Sequence, residues 1–295
     1  MAREAVQSSL IESLREVAGR SRANRYGVVF GLFVQQAHAQ RRAYGLDQLI
    51  FDLKSQDEGS LRFDEIFCRG AVSAIGDYGS AQAFAELETW GRCLRELAER
   101  HPEHAQIQNQ LARGAVNAII AYGSAQAFVK LETWGRCLRE LAERHPEHAE
   151  IQLQLARGAV NAIGDFGSAQ AFAELETWGW CLRELAERHP EHAEIQLQLA
   201  RGAVNAINRY GNAQAFAELE TWGRCLRELG ERHPEHADIQ LRLASGAVNA
   251  IIAYGSAQAF AELEAWGRYL RKLAEVIPNK ARVGSGVATE VSRKA

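Results

Sequence analysis

A period of 44 residues constrains this sequence more than any other feature. Gly70, Gly114, Gly158, Gly202 and Gly246 stand 44 apart, as do Trp90, Trp134, Trp178, Trp222 and Trp266. All five prolines, Pro102, Pro146, Pro190, Pro234 and Pro278, keep the same interval. Residues 114–157 and 158–201 differ at six positions of 44. Self-similarity at a fixed period of this size marks a repeat architecture. Five copies cover 59–102, 103–146, 147–190, 191–234 and 235–278. A non-repetitive segment, 1–58, precedes them, and a polar basic tail, 279–295, follows.

Each copy reads as two helices. In the second copy, Pro102-Glu103 suits the opening of a helix, since proline fits the first turn. The first helix is predicted from about His104 to Tyr122. Gly123 would supply the left-handed residue that ends it. Ser124 would cap a second helix, which runs to about Arg144, where His145-Pro146 stops it. No stretch alternates as a strand does.

The second helix carries an apolar stripe of Ala127, Phe128, Leu131, Trp134, Leu138, Leu141 and Ala142 at spacings of three and four. Its other face, Glu132, Arg136, Glu140 and Arg144, reads as an i,i+4 charge ladder for solvent, and Glu86 and Glu88 read the same way. The first helix is apolar nearly all round, with Ile107, Leu111, Ala115, Ala118, Ile119 and Tyr122 on one side and Val116 and Ile120 on another. Such a helix needs neighbours on more than one side. An isolated pair cannot bury that surface, and stacked copies can. Gly114 and Gly135 fall mid-helix, where glycine costs about 1 kcal/mol against alanine; close helix approach would compensate. The predicted fold is therefore all-α, a solenoid of five helix-turn-helix repeats behind a helical N-terminal cap.

The junction between copies, with Leu141, Ala142, Pro146, His148, Ala149, Glu150, Ile151, Leu155 and Ala156, resembles that of tetratricopeptide-like (TPR-like) repeats. There a proline closes the second helix, and a leucine with a small residue follows, as Leu155 and Ala156 do here. The resemblance covers roughly residues 60–278. The copies are longer than the family's 34 residues, and Gln152 stands where the family has an early aromatic. The resemblance implies an α-solenoid that binds proteins or assembles scaffolds, without chemistry of its own.

One polar strip survives on the first helices: Gln110, Arg113 and Asn117 in the second copy, then Gln154, Arg157, Asn161 and Asp165, then Gln198, Arg201, Asn205 and Arg209. The fifth copy offers Arg242, Ser245 and Asn249, and the first Arg69, Ser73 and Asp77. The last place in the strip varies between copies (Asp77, Ala121, Asp165, Arg209, Ala253). Variation at one place among near-identical copies points to a ligand-facing groove for a protein partner; an ordinary solvated face is the plainer alternative. Trp180 replaces the arginine of Arg92, Arg136, Arg224 and Arg268 on a polar face, which suits an interface anchor.

Other function classes find little support. The formal charge is −3, from 34 basic and 37 acidic residues, so no strong field holds nucleic acid phosphates. The segment from Arg15 to Arg42 is locally basic and suits phosphates or an acidic partner, though a solvated cap is the plainer reading. No Gly-rich phosphate loop, GxSxG or HExxH occurs, so neither enzyme activity, a small-molecule substrate nor a cofactor is expected. His-Pro-Glu-His recurs four times, but the pairs straddle a helix break and read as junction residues, not metal ligands. Five cysteines, an odd number, suit reduced thiols in a cytoplasmic chain. Gly27 to Val34 followed by Ala37-His38-Ala39 mimics an export signal and reads instead as a buried cap helix. No run approaches the ~18 apolar residues of a membrane span.

The ends suggest a competing reading. Ile66-Phe67-Cys68 is bulkier than the same place in later copies, as packing against a cap requires. The last copy is more apolar, with Tyr269, Val276 and Ile277. These residues and Trp180 are candidate contacts for end-to-end assembly into an oligomer or filament, which would make extracellular export an alternative location.

Overall fold

The computed structural model describes residues 2–35, 41, 45–56 and 60–276. Among them the regular structure is helical throughout. Among the described residues of the N-terminal segment stand α1 (Ala2–Gly19), α2 (Arg22–Gln35) and α3 (Leu46–Ser55). Five hairpins follow: α4 (Leu61–Ser80) with α5 (Phe84–Arg100), α6 (Ala105–Ser124) with α7 (Phe128–Arg144), α8 (Ala149–Ser168) with α9 (Phe172–Arg188), α10 (Ala193–Asn212) with α11 (Phe216–Arg232), and α12 (Ala237–Ser256) with α13 (Phe260–Val276). The fold is thus an all-α solenoid of helix pairs. It divides into two compact units, residues 1–158 and 159–295, with the boundary inside α8.

The turns differ from the sequence expectation. Gly123 and Ser124 belong to α6, and the left-handed residue is Gln126, at φ 56°. Gln82, Gln170, Gln214 and Gln258 repeat it. The Ala127 amide donates to the Tyr122 carbonyl (2.8 Å) and the Gln126 amide to that of Gly123 (2.9 Å). This paired closure is a Schellman motif, and it sets the start of α7 at Phe128 without a side-chain cap. The pairing, not the residue's own preference, holds glutamine in a conformation that glycine adopts more easily.

At the other junction, His104 caps α6, its Nδ1 accepting the Ile107 amide at 3.4 Å; His192 and His236 do the same for α10 and α12. Gln152, in the place of the family's aromatic, is fully buried. Its Nε2 donates to the carbonyls of Ala142 (2.8 Å) and His145 (2.9 Å). Gln108, Gln196 and Gln240 repeat the arrangement. Carbonyls at a helix end have no partner within the helix. A buried amide that satisfies two of them explains why a polar residue replaces an apolar one.

The core follows the predicted stripes. Leu131, Trp134, Leu138 and Leu141 of α7 are buried, as are Ile107, Ala115, Ala118 and Ile119 of α6. Ile120 is the exception, exposed at 42%, because α6 is covered on fewer sides than its composition suggests. A buried tryptophan removes about 200 Å² from water, worth on the order of 5 kcal/mol as an upper estimate. Trp90, Trp134, Trp178 and Trp222 are all in this class. The mid-helix glycines make room for this packing. A Cβ on Gly91 would lie 2.5 Å from the Trp134 ring, and one on Gly114 would lie 2.6 Å from Leu94 Cδ2.

The N-terminal segment packs on the first hairpin. Phe33 of α2 meets Trp90 edge-on (5.6 Å between centroids), Phe51 of α3 lies 4.6 Å from it, and Phe67 completes the cluster at 5.4 Å. Arg41, almost wholly buried, pairs with Asp47 (3.2 Å) and approaches Asp77 (3.7 Å), while Tyr78 donates to Asp47. Gly27 to Val34 is thus only half-buried helix: Val29 and Leu32 face inward, and Phe30 is 53% exposed. Ala37-His38-Ala39, Ile277 and the tail 279–295 lie outside the described residues.

Candidate interaction surfaces

A repeated polar node governs which side chains remain for binding. Glu176 on α9 accepts Tyr210 Oη (2.7 Å) and Trp222 Nε1 (2.9 Å), and Arg183 pairs with it at 3.0 Å. Arg183 also lies over the Trp222 ring at 4.4 Å, a cation–π contact worth about 0.5–2 kcal/mol. Glu220 with Tyr254, Trp266 and Arg227 repeats the set. Arg136, Glu140 and Arg144 are exposed as the ladder predicted, but the glutamates at the Glu88, Glu176 and Glu220 position are not simply solvated. They link successive hairpins, and Glu132 likewise pairs with Arg139 (3.1 Å). In the first unit, Glu88 accepts Tyr122 (2.8 Å) and the substituted Lys130 (3.2 Å), and Trp134 Nε1 has no hydrogen-bond partner among the described residues. Burial works to raise the Glu88 pKa, but those two hydrogen bonds outweigh it and hold the carboxyl below its usual range. Burial, then the glutamate partner, pushes the tyrosine hydroxyls up.

The predicted strip separates into three kinds of residue. Gln110, Gln154 and Gln198 are buried, at 6%, 5% and 3% exposure, so they leave the surface strip. The asparagines are half-buried: Asn117 Nδ2 donates to the Val72 carbonyl (3.0 Å) and Asn205 Nδ2 to that of Val160 (3.4 Å), while Asn161 and Asn249 hold the same place. Asn117 thereby ties α6 to α4, and Asn205 ties α10 to α8. Arg69, Arg113, Arg157 and Arg201 are exposed. The variable place lies in the seam between first helices. Ala121 and Ala253 are buried there, Asp77 faces Arg41, and Arg209 crosses Gly167. Burial raises the Asp165 pKa to about 6, with the Arg209 charge pulling the other way. At Ala121 the seam opens into a cleft that Gly76, Gly79, Asn117 and Ile120 also line.

Trp180 is 64% exposed on α9. Tyr269 is half-buried beside Trp266, 6.0 Å between centroids. Val276 ends α13, and its side chain lies outside the described residues. The last hairpin retains the residues that hold a following hairpin elsewhere, and among the described residues they have no such partner. Phe260, whose counterparts Phe172 and Phe216 stack on Tyr210 and Tyr254 (4.9 and 4.8 Å), is 70% exposed. Glu264 pairs with Arg268 instead (2.8 Å), and a Cβ on Gly267 would meet nothing within 4 Å.

Sequence reasoning missed a cleft between α2 and α4. Arg22, Tyr26, Gly27 and Phe30 form one wall and Arg62, Glu65, Ile66 and Arg69 the other, around about 710 Å³. Its two walls come from the cap and the first repeat, and no periodicity links them.

Among the described residues no group of three histidine, cysteine or carboxylate side chains is placed to hold a metal ion, and no helix is long and apolar enough to cross a membrane. Among the described residues no disulfide joins the cysteines; burial pushes the Cys68 thiol up to about 12. Compared with protein-family models, with curated proteins and with solved structures, the chain matches none.

Proposed function

We propose that this chain is a non-enzymatic, TPR-like helical-repeat scaffold that binds an acidic protein partner along its first helices. The observation that carries this reading is the fate of the polar strip. Its glutamines and asparagines are used internally, and its arginines are left at the surface at one repeat position, Arg69 on α4 and Arg113 on α6 in the first unit. A row of cations at a fixed interval on rigid helices selects partners by charge and register. Solenoids present such surfaces to extended ligands. Titrating the full chain with a fluorescein-labelled peptide of alternating glutamate and leucine tests it. Binding that weakens at least tenfold in Arg69→Glu/Arg113→Glu supports the reading. Affinity indifferent to both charges removes it.

Self-association is the second reading, favoured by the face of the last hairpin that no described residue covers, where Phe260 is 70% exposed. The head of the first repeat is occupied by α2 and α3, so a head-to-tail filament requires the cap to leave. Pairing of two terminal faces does not, and a two-fold contact closes at a dimer. Light scattering over a concentration series separates the cases. A plateau at twice 32.7 kDa that reverts to monomer in Phe260→Asp supports the dimer. A constant monomer removes it.

A further inference from the structure

We infer that the cleft between α2 and α4 is an anchor site for an acidic peptide segment in which two carboxylates flank an apolar side chain. The inference rests on the scaffold reading and assigns one place on it. Arg62, Ile66 and Arg69 follow one another at i, i+4 and i+7 and so share a face of α4. At 1.5 Å per residue the two guanidinium-bearing positions stand about 10 Å apart, with Ile66 between them. Opposite them, Tyr26 and Phe30 on α2 are four residues apart and share the facing side.

Each wall is held, so the cleft is preformed. Tyr26 packs on Phe63 (5.5 Å between centroids) and its hydroxyl hydrogen-bonds Ser60. Glu65, the cleft's carboxylate, is engaged by His104 at 3.3 Å. Arg62 and Arg69 are exposed and have no ion-pair partner among the described residues. Phe30 leaves 53% of its surface to water, and a Cβ on Gly27 would meet nothing within 4 Å, so the floor is open. Arg62 and Arg69 against one engaged carboxylate give the cleft an anionic preference. The exposed phenyl ring and Ile66 add an apolar one.

In a polyproline II chain, with three residues per turn and a rise of about 3.1 Å, carboxylates three residues apart share one side about 9 Å apart. That spacing suits Arg62 and Arg69, and the intervening leucine and phenylalanine project toward the rest of the cleft, where Phe30 and Ile66 stand. A polyanion read through its phosphates fits less well. Such binding draws on many cations over a long path, and here the positive charge is local within a chain of net charge −3.

The test is fluorescence anisotropy on the full chain with a labelled Gly-Glu-Leu-Phe-Glu-Gly peptide. Two controls replace both glutamates by lysine, or the leucine and phenylalanine by glycine. The expected result is saturable binding that falls at least tenfold with either control, with Arg62→Glu/Arg69→Glu and with Phe30→Ala. Circular dichroism should show each variant folded. Binding that responds to Arg113→Glu but not to Arg62→Glu or Phe30→Ala overturns the anchor and leaves the scaffold reading standing. Indifference to all of these charges overturns both. A labelled single-stranded oligonucleotide that binds more tightly than the peptide, and loses affinity with Arg62→Glu/Arg69→Glu, overturns the peptide assignment in favour of nucleic acid.

Discussion

Gln126 and its four counterparts sit at φ between 55° and 58°, where a Cβ is disfavoured and glycine is not. Replacing Gln126 by glycine should stabilise the fold by about 0.5–1 kcal/mol, read as a higher denaturation midpoint. Asp165 carries a different strain. Its pKa is raised to about 6, above the usual carboxylate value, because burial disfavours the charge. The folded state therefore holds its proton more tightly than the unfolded state does. The benefit is full below pH 4 and is lost as pH rises through about 6. Asp165→Asn should be more stable than the parent at pH 7.5, by on the order of 1–2 kcal/mol, and the gap should close by pH 4. Equal pH profiles for the two proteins would refute that account.

At the scale of elements, the hairpins are held by groups that look like surface residues in the sequence. Gln152 closes the end of α7 through two carbonyls. Gln152→Leu keeps the volume but strands the Ala142 carbonyl, while that of His145 still accepts the His148 amide (3.1 Å), and should cost about 1–3 kcal/mol in chemical denaturation. Packing of one second helix on the next depends on a glycine that receives a tryptophan edge. Gly91→Ala drives a Cβ against Trp134 and should destabilise by about 1–3 kcal/mol. Gly267 occupies the same repeat position with open space around it, so Gly267→Ala should be neutral or raise stability by up to about 1 kcal/mol. A similar loss in both variants would show that the tryptophan seat is not the cause.

At the scale of the whole molecule, the two ends differ in kind. The first repeat is closed by an aromatic cluster built from Phe33, Phe51, Phe67 and Trp90. Deleting residues 1–58 should expose Phe67 and Trp90, giving a chain that binds a hydrophobic dye more than the full chain does and elutes as larger species in size-exclusion chromatography. The last repeat instead keeps its receiving surface, with Phe260 and Ile252 at 70% and 54% exposure. Terminal repeats of solenoids commonly carry a polar outer face. The apolar end is why self-association stands beside partner binding.

The period of 44 residues, the two helices per copy and the buried stripes were legible because helical periodicity and stacking are local and repeated. Gly114 and Pro146 marked a close contact and a helix stop by their own chemistry. Residue type did not separate buried from exposed polar groups. Gln110 and Gln154 looked like surface, and Glu88 and Glu176 looked like a charge ladder. The glutamates' partners lie 34 to 46 residues away in hydrogen bonds such as Tyr122–Glu88 and Trp222–Glu176, a distance no single-helix projection sees. The turn geometry at Gln126 was hidden for a related reason: cooperative backbone closure, not the residue's own preference, selects it. The α2–α4 cleft was equally invisible, since it exists only where a non-repeating helix meets a repeating one. Local patterning determined the elements and their order, and contacts between hairpins decided which polar side chains remain at the surface for a partner.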